Sequence, residues 1–138
     1  MELKTYLLRF AVSIMIGGLI GLERELEHKP AGLRTMILFC LGSTIFMLIA
    51  MELKPLESDL GKIIAGVITG IGFLGAGAII RAGGDIHGLT TAATIWLASG
   101  LGIAVGGGYY VLALIATALV LLVLRILGFI EHAISNKS

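Results

Sequence analysis

The side chains that could bind an ion or a ligand stand at two hydrophilic breaks between apolar stretches of this chain. Carboxylates are the groups that hard cations such as Mg²⁺ prefer, whereas guanidinium groups suit anions. Charges held at a membrane boundary are costly unless they are paired or hydrated, so they are candidates for function. If the two breaks meet on one side of a membrane, they form one polar cluster for a ligand, an ion or a partner: Glu23, Arg24, Glu25, Arg34, Thr35, Arg81, Asp85 and Thr91.

The carboxylates of this cluster, Glu23, Glu25 and Asp85, are possible oxygen ligands for Mg²⁺. On a helix, however, side chains two residues apart point about 200° apart, so Glu23 and Glu25 cannot both reach one ion. The sequence therefore predicts no cofactor, gives Mg²⁺ only slight support and leaves any metal ligand unassigned. The alternative is that these charges have only a structural role. Glu23 and Arg34 would then form an ion pair that holds two helices in register. Glu25 with Arg81 would act in the same way.

Other functional classes find little support in the residues. Hydroxyl side chains such as Thr91 lack a positioned base, so we predict that the chain is not an enzyme. The GxGxxG pattern that begins at Gly70 lies inside an apolar run rather than after a strand, which argues against nucleotide binding. A net charge of +1 without a basic stripe argues against nucleic-acid binding. Cys40 is the only cysteine, which excludes a disulfide within the chain.

The composition places these residues in a membrane. Of the 138 residues, 57% are hydrophobic and 14% are charged, with a mean hydropathy of +1.03, whereas soluble domains are roughly 25% charged. We predict that residues 1–138 form one domain, an all-α integral membrane protein in a lipid bilayer. We expect no soluble C-terminal domain. Its apolar stretches predict five transmembrane helices, over about 6–22, 33–51, 63–80, 89–105 and 109–130.

Along three of these stretches, small residues recur about every four positions, which places them on one face of a helix. Such stripes let neighbouring helix backbones approach closely, within one chain or between copies of it. The third stretch carries glycines on two opposite faces, which predicts a central helix gripped on both sides. The residues predicted to pack helices are Ser13, Gly17, Gly21, Gly66, Gly70, Gly77, Thr94, Ala98, Gly102 and Gly106.

The basic residues suggest an orientation. Lysine and arginine are enriched in the cytoplasmic loops of membrane proteins, and five spans put the two termini on opposite sides. If the first break is cytoplasmic, the inside set is Arg24, Lys29, Arg34, Arg81, Arg125 and Lys137, against Lys4, Arg9, Lys54 and Lys62 outside. We therefore expect the N-terminus outside and the C-terminus in the cytoplasm, with both breaks at the cytoplasmic face. Arg9 is expected to extend toward the lipid headgroups.

Four strings of the sequence together resemble a known family. They are GLERE (21–25), AGLRTMIL (31–38), GIGFLGAGAIIR (70–81) and GLTTAATIWLASGLGIAVGGGYY (88–110). In continuous order over roughly residues 17–110, they resemble the membrane domain of the bacterial MgtC/SapB family. The resemblance implies a polytopic inner-membrane protein of about five spans, linked to growth or survival under magnesium limitation and, in some lineages, to virulence.

The family's characteristic charged and polar positions fall on residues already singled out. They correspond here to Glu23, Arg24, Glu25, Arg34, Thr35, Arg81 and Thr91. The chain departs from the family at His87, where many relatives carry a basic residue, and at Thr90, where the virulence-associated branch often has Asn. Many relatives also continue into a soluble C-terminal domain, whereas this sequence ends at Ser138.

Two functions follow as hypotheses. The first is a non-enzymatic protein that serves magnesium homeostasis or adaptation to low magnesium and acid stress, by binding itself or a membrane partner such as the ATP synthase. The second is an ion channel or transporter for Mg²⁺, H⁺ or an anion, with the glycine-rich third helix lining the path. The absence of an acidic residue deep within a span counts against a cation path.

Overall fold

The computed structural model describes residues 2–53, 60–82 and 85–135, and for residues 80–82, 85 and 131–135 it describes the backbone alone. Lys54 and Lys137, two of the residues used for the orientation, lie outside the described residues. Five helices are present there: α1 (Leu3–Leu26), α2 (Leu33–Leu53), α3 (Leu60–Ala76), α4 (Leu89–Gly106) and α5 (Tyr110–Ser135). Two short strands, β1 (Ile80–Ala82) and β2 (Asp85–His87), pair antiparallel between α3 and α4.

Four of the described helices, α1, α2, α4 and α5, are long and apolar enough to cross a membrane. The predicted all-α membrane fold is therefore confirmed. With 17 residues, α3 is shorter; it is about 26 Å long against a hydrocarbon core of roughly 30 Å.

The third predicted span, 63–80, is wrong at its far end. After Ala76 the backbone tightens, because the N–H groups of Ala78 and Ile79 donate to carbonyls three residues earlier, at 3.0 and 3.1 Å. Ile80 then begins β1. The following residues, expected to be a polar loop, form the β1–β2 hairpin, in which Arg81 pairs with Ile86.

The core of the bundle is built from α1, α2 and α4, with α2 in the middle. Gly17 and Gly21 of α1 lie against α2: a Cβ at Gly21 would come within 2.7 Å of the Cα of Leu33. At Gly17 the same atom would come within 2.8 Å of the Cα of Ile37. Only glycine permits this approach, so α1 and α2 touch backbone to backbone.

The other side of α2 meets the small-residue stripe of α4, in which Thr94 and Ala98 are also buried. A Cβ at Gly102 would collide with the carbonyl oxygen of Cys40, and one at Gly106 would lie 2.7 Å from the Cβ of Met47. The helix gripped on both sides is therefore α2, and the prediction that α3 holds this position is wrong.

A buried hydroxyl ties these three helices together. The Oγ1 of Thr44 on α2 lies 3.0 Å from the Oγ of Ser13 on α1 and 2.9 Å from the carbonyl oxygen of Gly102 on α4. It also lies 2.9 Å from the carbonyl oxygen of Cys40 on its own helix. Thr44 and Ser13 are fully buried, so this polar node specifies which helices meet.

A second polar anchor lies at the opposite end of the bundle from the α1–α2 turn. The guanidinium of Arg9 donates to the carbonyl oxygen of Gly106, in the last turn of α4, and approaches the Sδ of Met51 at 3.5 Å. Arg9 is 9% exposed, so the expectation that it extends toward the headgroups is wrong. Its charge complements the negative end of the α4 dipole instead.

The glycine face of α3, formed by Gly66, Gly70 and Gly77, points away from the other helices that the structure describes. A Cβ added at Gly66 or Gly70 would meet nothing within 4 Å, and one at Gly77 would meet only the carbonyl of Leu74 in its own turn. The expected packing at these three glycines is therefore absent within the described residues. Instead α3 contacts its neighbours through Ile71 and Gly75.

Candidate functional site

A cavity of about 640 Å³ opens where α1 ends and α4 begins; we call it the α1–α4 cavity. It is lined by residues within 23–30, 86–91 and 123–128, from the end of α1 and its turn, the start of α4 and the second half of α5. The turn after α1 is a Schellman motif, in which the N–H of Lys29 donates to the carbonyl of Arg24 at 2.9 Å and His28 adopts φ 53°. This turn ends α1 beside the cavity.

Two charged side chains form the floor of the cavity. Glu23 and Arg24 are 4% and 3% exposed. The Nη2 of Arg24 donates to the Oγ1 of Thr91 on α4 at 3.2 Å, and its Nη1 lies 3.8 Å from the Oε2 of Glu23. These contacts join α1 to α4 across 67 residues of sequence.

The floor is not fully satisfied by the chain itself. Among the described residues, the Oε2 of Glu23 and the Nε of Arg24 have no hydrogen-bond partner although both atoms are buried. A buried polar group left without a partner costs about 1–3 kcal/mol, and more when it is charged. This cost favours a ligand or ordered water that supplies both an acceptor and a donor at the floor of the cavity.

Glu25 points away from this floor. Its Oε2 accepts a hydrogen bond from the N–H of Leu33 at 3.0 Å, at the first residue of α2. A Cβ at Gly32 would collide with the same carboxylate. Glu25 therefore closes the α1–α2 turn and satisfies one free N–H at the start of α2. Glu23 and Glu25 diverge as their spacing predicts, so they do not share an ion.

The predicted cluster divides at α2. Arg34 is exposed on α2 and does not line the cavity, and Thr35 borders a separate apolar groove between α2 and α3. The described ion pair of Glu23 is with Arg24 and not with Arg34, so the proposed Glu23–Arg34 pair is wrong. Arg34 is the second residue of α2 and faces outward because the inward face of this first turn carries Met36, which is fully buried.

The remaining two members of the cluster lie on the hairpin. The backbones of Arg81 and Asp85 belong to β1 and β2, which brings the chain to the start of α4. Their side chains are outside the described residues, and so is the proposed Glu25–Arg81 pair. Within the described part of the chain, no group of three or more His, Cys, Asp or Glu side chains is placed to hold a metal ion.

Sequence reasoning missed the wall that α5 gives to the cavity. Val123, Leu124 and Leu127 line it beside the polar floor. Nothing in the sequence distinguishes these residues from the lipid-facing leucines and valines around them, because residues 118–130 of α5 are apolar apart from Arg125. Lys29 and Glu27 also line the cavity, where the sequence indicated only a hydrophilic turn.

Most of the chain, including all or most of each of the five helices, matches the profile of one protein family. The profile of the MgtC family matches residues 10–133, from the middle of α1 to the end of α5. The chain belongs to the MgtC family. Its resemblance to that family is thus confirmed over more residues than the four strings cover.

Curated relatives support the assignment. The chain is 42% identical to "Protein MgtC" of Salmonella typhimurium, with 84% of this chain and 49% of the relative aligned. It is 36% identical to "Putative magnesium transporter YhiD" of Escherichia coli K12, with 96% of this chain and 65% of the relative aligned. It therefore spans about half the length of MgtC and about two thirds of YhiD. No solved structure gives a significant match.

The matched region of the MgtC family includes every element that lines the α1–α4 cavity. The arrangement is suited to binding a ligand. A buried carboxylate and a buried guanidinium lie side by side, with the first turn of a helix and an apolar wall next to them. Such a site offers charge complementarity to a small polar group and apolar contact to whatever is attached to it.

Proposed function

We propose that this member of the MgtC family is a non-enzymatic protein of the bacterial inner membrane that acts by associating with a membrane partner or with itself. Its role would lie in magnesium homeostasis or in adaptation to low magnesium and acid stress. The names of the relatives favour the link to magnesium, since one of them is called a putative magnesium transporter. The ATP synthase, expected from the family resemblance, is the first partner to test.

One observation carries the proposal: the glycine face of α3 is empty. Gly66 and Gly70 stand four residues apart with no described atom within 4 Å of a Cβ at either position. The same spacing in α1, at Gly17 and Gly21, is filled by α2 at backbone contact. In a membrane, small residues four apart are the surface on which a second helix packs. The free face of α3 therefore suits a helix that the described residues do not supply.

The test replaces one glycine of that face and one of the opposite face. Gly70→Leu fills the proposed surface, whereas Gly72→Leu adds the same side chain on the same helix about 200° away, where a Cβ also meets nothing within 4 Å. We expect Gly70→Leu to reduce the oligomer, or the co-purified partner, about tenfold while Gly72→Leu leaves it unchanged. Equal behaviour of the two variants, both folded, would overturn the proposal.

A second candidate function is ion transport, favoured by the charged α1–α4 cavity. Against it, the space between α1, α2 and α4 is filled by Ile16, Ile20, Met36 and Ile95, all 3% exposed or less. An ion path would then have to run between subunits. Flux of Mg²⁺, H⁺ and an anion into proteoliposomes tests this function, with Arg24→Gln as the cavity variant and Arg34→Gln as the control. No flux from folded protein would exclude it.

We also propose that the α1–α2 turn is cytoplasmic and the start of α5 is on the outside. The distribution of lysine and arginine supports this orientation. Cys40 is fully buried, so a cysteine introduced at the exposed Lys29 or Tyr109 can be labelled without background. A membrane-impermeant thiol reagent added to whole cells should label Tyr109→Cys and spare Lys29→Cys, and the reverse pattern would invert the orientation.

A further inference from the structure

The start of α4 has no cap from the side chains that the structure describes. Its N-cap is Gly88, at φ 89°, and no side-chain cap hydrogen bond is made there. The first bond of the helix runs from the N–H of Ala92 to the carbonyl of Gly88 at 2.9 Å, so the preceding N–H groups are those that a helix leaves free. A Cβ at Gly88 would collide with the carbonyl of Ala78, which excludes a capping side chain at this position.

This uncapped turn lines the α1–α4 cavity. Leu89, Thr90 and Thr91 all contribute to the lining, and the free N–H groups of a first turn carry about half a positive charge. Helix starts of this kind bind phosphate and carboxylate groups. A second, independent feature points to a ligand: Arg24 lines the same cavity, is 3% exposed and keeps a buried N–H without a partner among the described residues.

The described charges around the cavity are of both signs. Arg24 and Lys29 provide two cations, and Glu23 and Glu27 provide two carboxylates, all on the α1 side. An anion alone would be repelled by the carboxylates, and a cation alone would be repelled by the guanidinium and the helix start. A ligand with one negative and one positive group satisfies both sets, including the Oε2 of Glu23, which has no hydrogen-bond partner among the described residues.

The apolar residues of α5 that line the cavity indicate which chemical group the charged part of the ligand carries. Val123, Leu124 and Leu127 border the cavity, and Leu127 is 51% exposed on the surface of a helix that is long and apolar enough to span a membrane. The cavity thus combines a zwitterionic floor with a wall that continues along the lipid-facing side of α5. A soluble ion would gain nothing from this wall, whereas an acyl chain would bury apolar surface against it.

We propose that the α1–α4 cavity binds the headgroup of a phospholipid that carries a primary amine. The phosphate lies at the first turn of α4 near Arg24, the ammonium group lies toward Glu23 and Glu27, and an acyl chain follows α5. The ammonium donates hydrogen bonds to the carboxylates, which a quaternary ammonium cannot do. This inference does not depend on the association proposed for α3.

The experiment measures which lipids the full chain retains. Purified protein in mixed micelles is exchanged into phosphatidylethanolamine, phosphatidylcholine or phosphatidylglycerol of matched acyl chains, and bound lipid is counted by native mass spectrometry. We expect phosphatidylethanolamine to be retained about tenfold more than the other two, the difference expected from one charge-assisted hydrogen bond. Equal retention of the three lipids would overturn the proposal.

Variants at the rim test the site without disturbing the buried floor. Glu27→Gln and Lys29→Gln each change one exposed cavity residue, and Arg34→Gln changes an exposed residue outside the cavity. We expect Glu27→Gln to lower the preference for phosphatidylethanolamine several-fold, Lys29→Gln to lower the retention of all three lipids several-fold, and the control to change neither. A preference that is unchanged in Glu27→Gln, or a retention that is unchanged in Lys29→Gln, would contradict the site.

A further arm separates a lipid from a soluble phosphate. Inorganic phosphate and O-phosphoethanolamine, added in excess to the lipid-bound protein, share the headgroup chemistry but lack the acyl chains. Retention of phosphatidylethanolamine in their presence supports the lipid. Complete displacement by inorganic phosphate would show that the cavity is a site for a soluble anion and would overturn the lipid assignment.

Discussion

The helices α2 and α3 differ in what surrounds them, although glycine stripes are involved at both: α2 is contacted by the glycines of α1 and α4, whereas α3 carries glycines of its own. Around α2, the glycines of α1 and α4 bring backbones into direct contact. On α3, a Cβ added at Gly66 or Gly70 would meet no described atom within 4 Å. Glycine spacing therefore indicates that a helix can be approached closely, but it does not identify the helix that approaches.

Polar side chains explain why α2, and not α3, is the helix that lies between α1 and α4. Thr44 of α2 reaches Ser13 of α1 and the backbone of α4, whereas the hydroxyl of Thr69 on α3 bonds to the carbonyl of Ala65 in its own helix at 2.8 Å. In a membrane, apolar contact alone does not distinguish one neighbour from another, because lipid is equally apolar. Hydrogen bonds between helices make the distinction.

The largest effect is expected where the backbones touch. Gly102→Leu on α4 places a side chain against the carbonyl of Cys40 and should cost more than about 3 kcal/mol, enough to separate α2 from α4. Gly100→Leu on the same helix, where a Cβ meets nothing within 4 Å, is the matched control. Size-exclusion profiles and thermal unfolding in detergent should show aggregation of the first variant alone; two equally stable variants would contradict the packing described.

A smaller loss is expected at the floor of the α1–α4 cavity. Arg24→Ala leaves the Glu23 carboxylate buried without its cation and should lower the free energy of unfolding by about 3 kcal/mol. Arg34→Ala removes the same charge from an exposed site and should change it by less than about 0.5 kcal/mol. Denaturant titration in detergent compares the two. If both variants lose the same stability, the difference in burial between the two arginines has no energetic consequence.

These two arginines also define how far the sequence predicts the site. Glu23, Arg24 and Thr91 could be brought together from the order of the spans alone, because consecutive turns alternate between the two faces of a membrane. The rotation of each helix could not be predicted, since Arg34 lies only two residues before the buried Met36 and yet faces outward. The sequence did not predict that α5 lines the cavity, because the apolar residues that do so resemble those that face lipid.

The sequence predicted the fold better than it predicted the contacts between the helices. Five apolar stretches predicted five helices, because their lengths are set by the thickness of the membrane. The end of α3 was missed since apolar residues continue through Ile79 and Ile80, and only the i→i+3 bonds after Ala76 reveal the turn. Arg9 was misplaced because the sequence does not show that the last turn of α4 lies beside it.

The polar node around α2 should contribute less than either feature above. Thr44→Val keeps the shape of the side chain but removes its link to Ser13 and Gly102, which should cost about 1 kcal/mol. Thr69→Val removes a hydroxyl that bonds only within α3 and is the control. Thermal unfolding of the pair measures the difference. A control that loses as much stability as Thr44→Val would mean that the node does not select α2.

The smallest effect is expected at the α1–α2 turn. Glu25→Ala removes the carboxylate that accepts the N–H of Leu33 and should cost about 0.5–1 kcal/mol, as other losses of a helix cap do. Glu25→Gln retains an acceptor oxygen and should restore most of this loss. The measurement is again thermal unfolding in detergent, and failure of the glutamine variant to recover stability would argue against the cap.

The central claim is that the glycine face of α3 binds another helix. Phe73 lies three residues after Gly70, on the same side of α3, and is 82% exposed, while Phe129 on α5 is 77% exposed. A photo-cross-linking phenylalanine analogue at each position, activated in native membranes, makes the comparison directly. We predict cross-links to protein from position 73, abolished by Gly70→Leu, and cross-links to lipid alone from position 129. Lipid adducts alone at both positions would contradict the account.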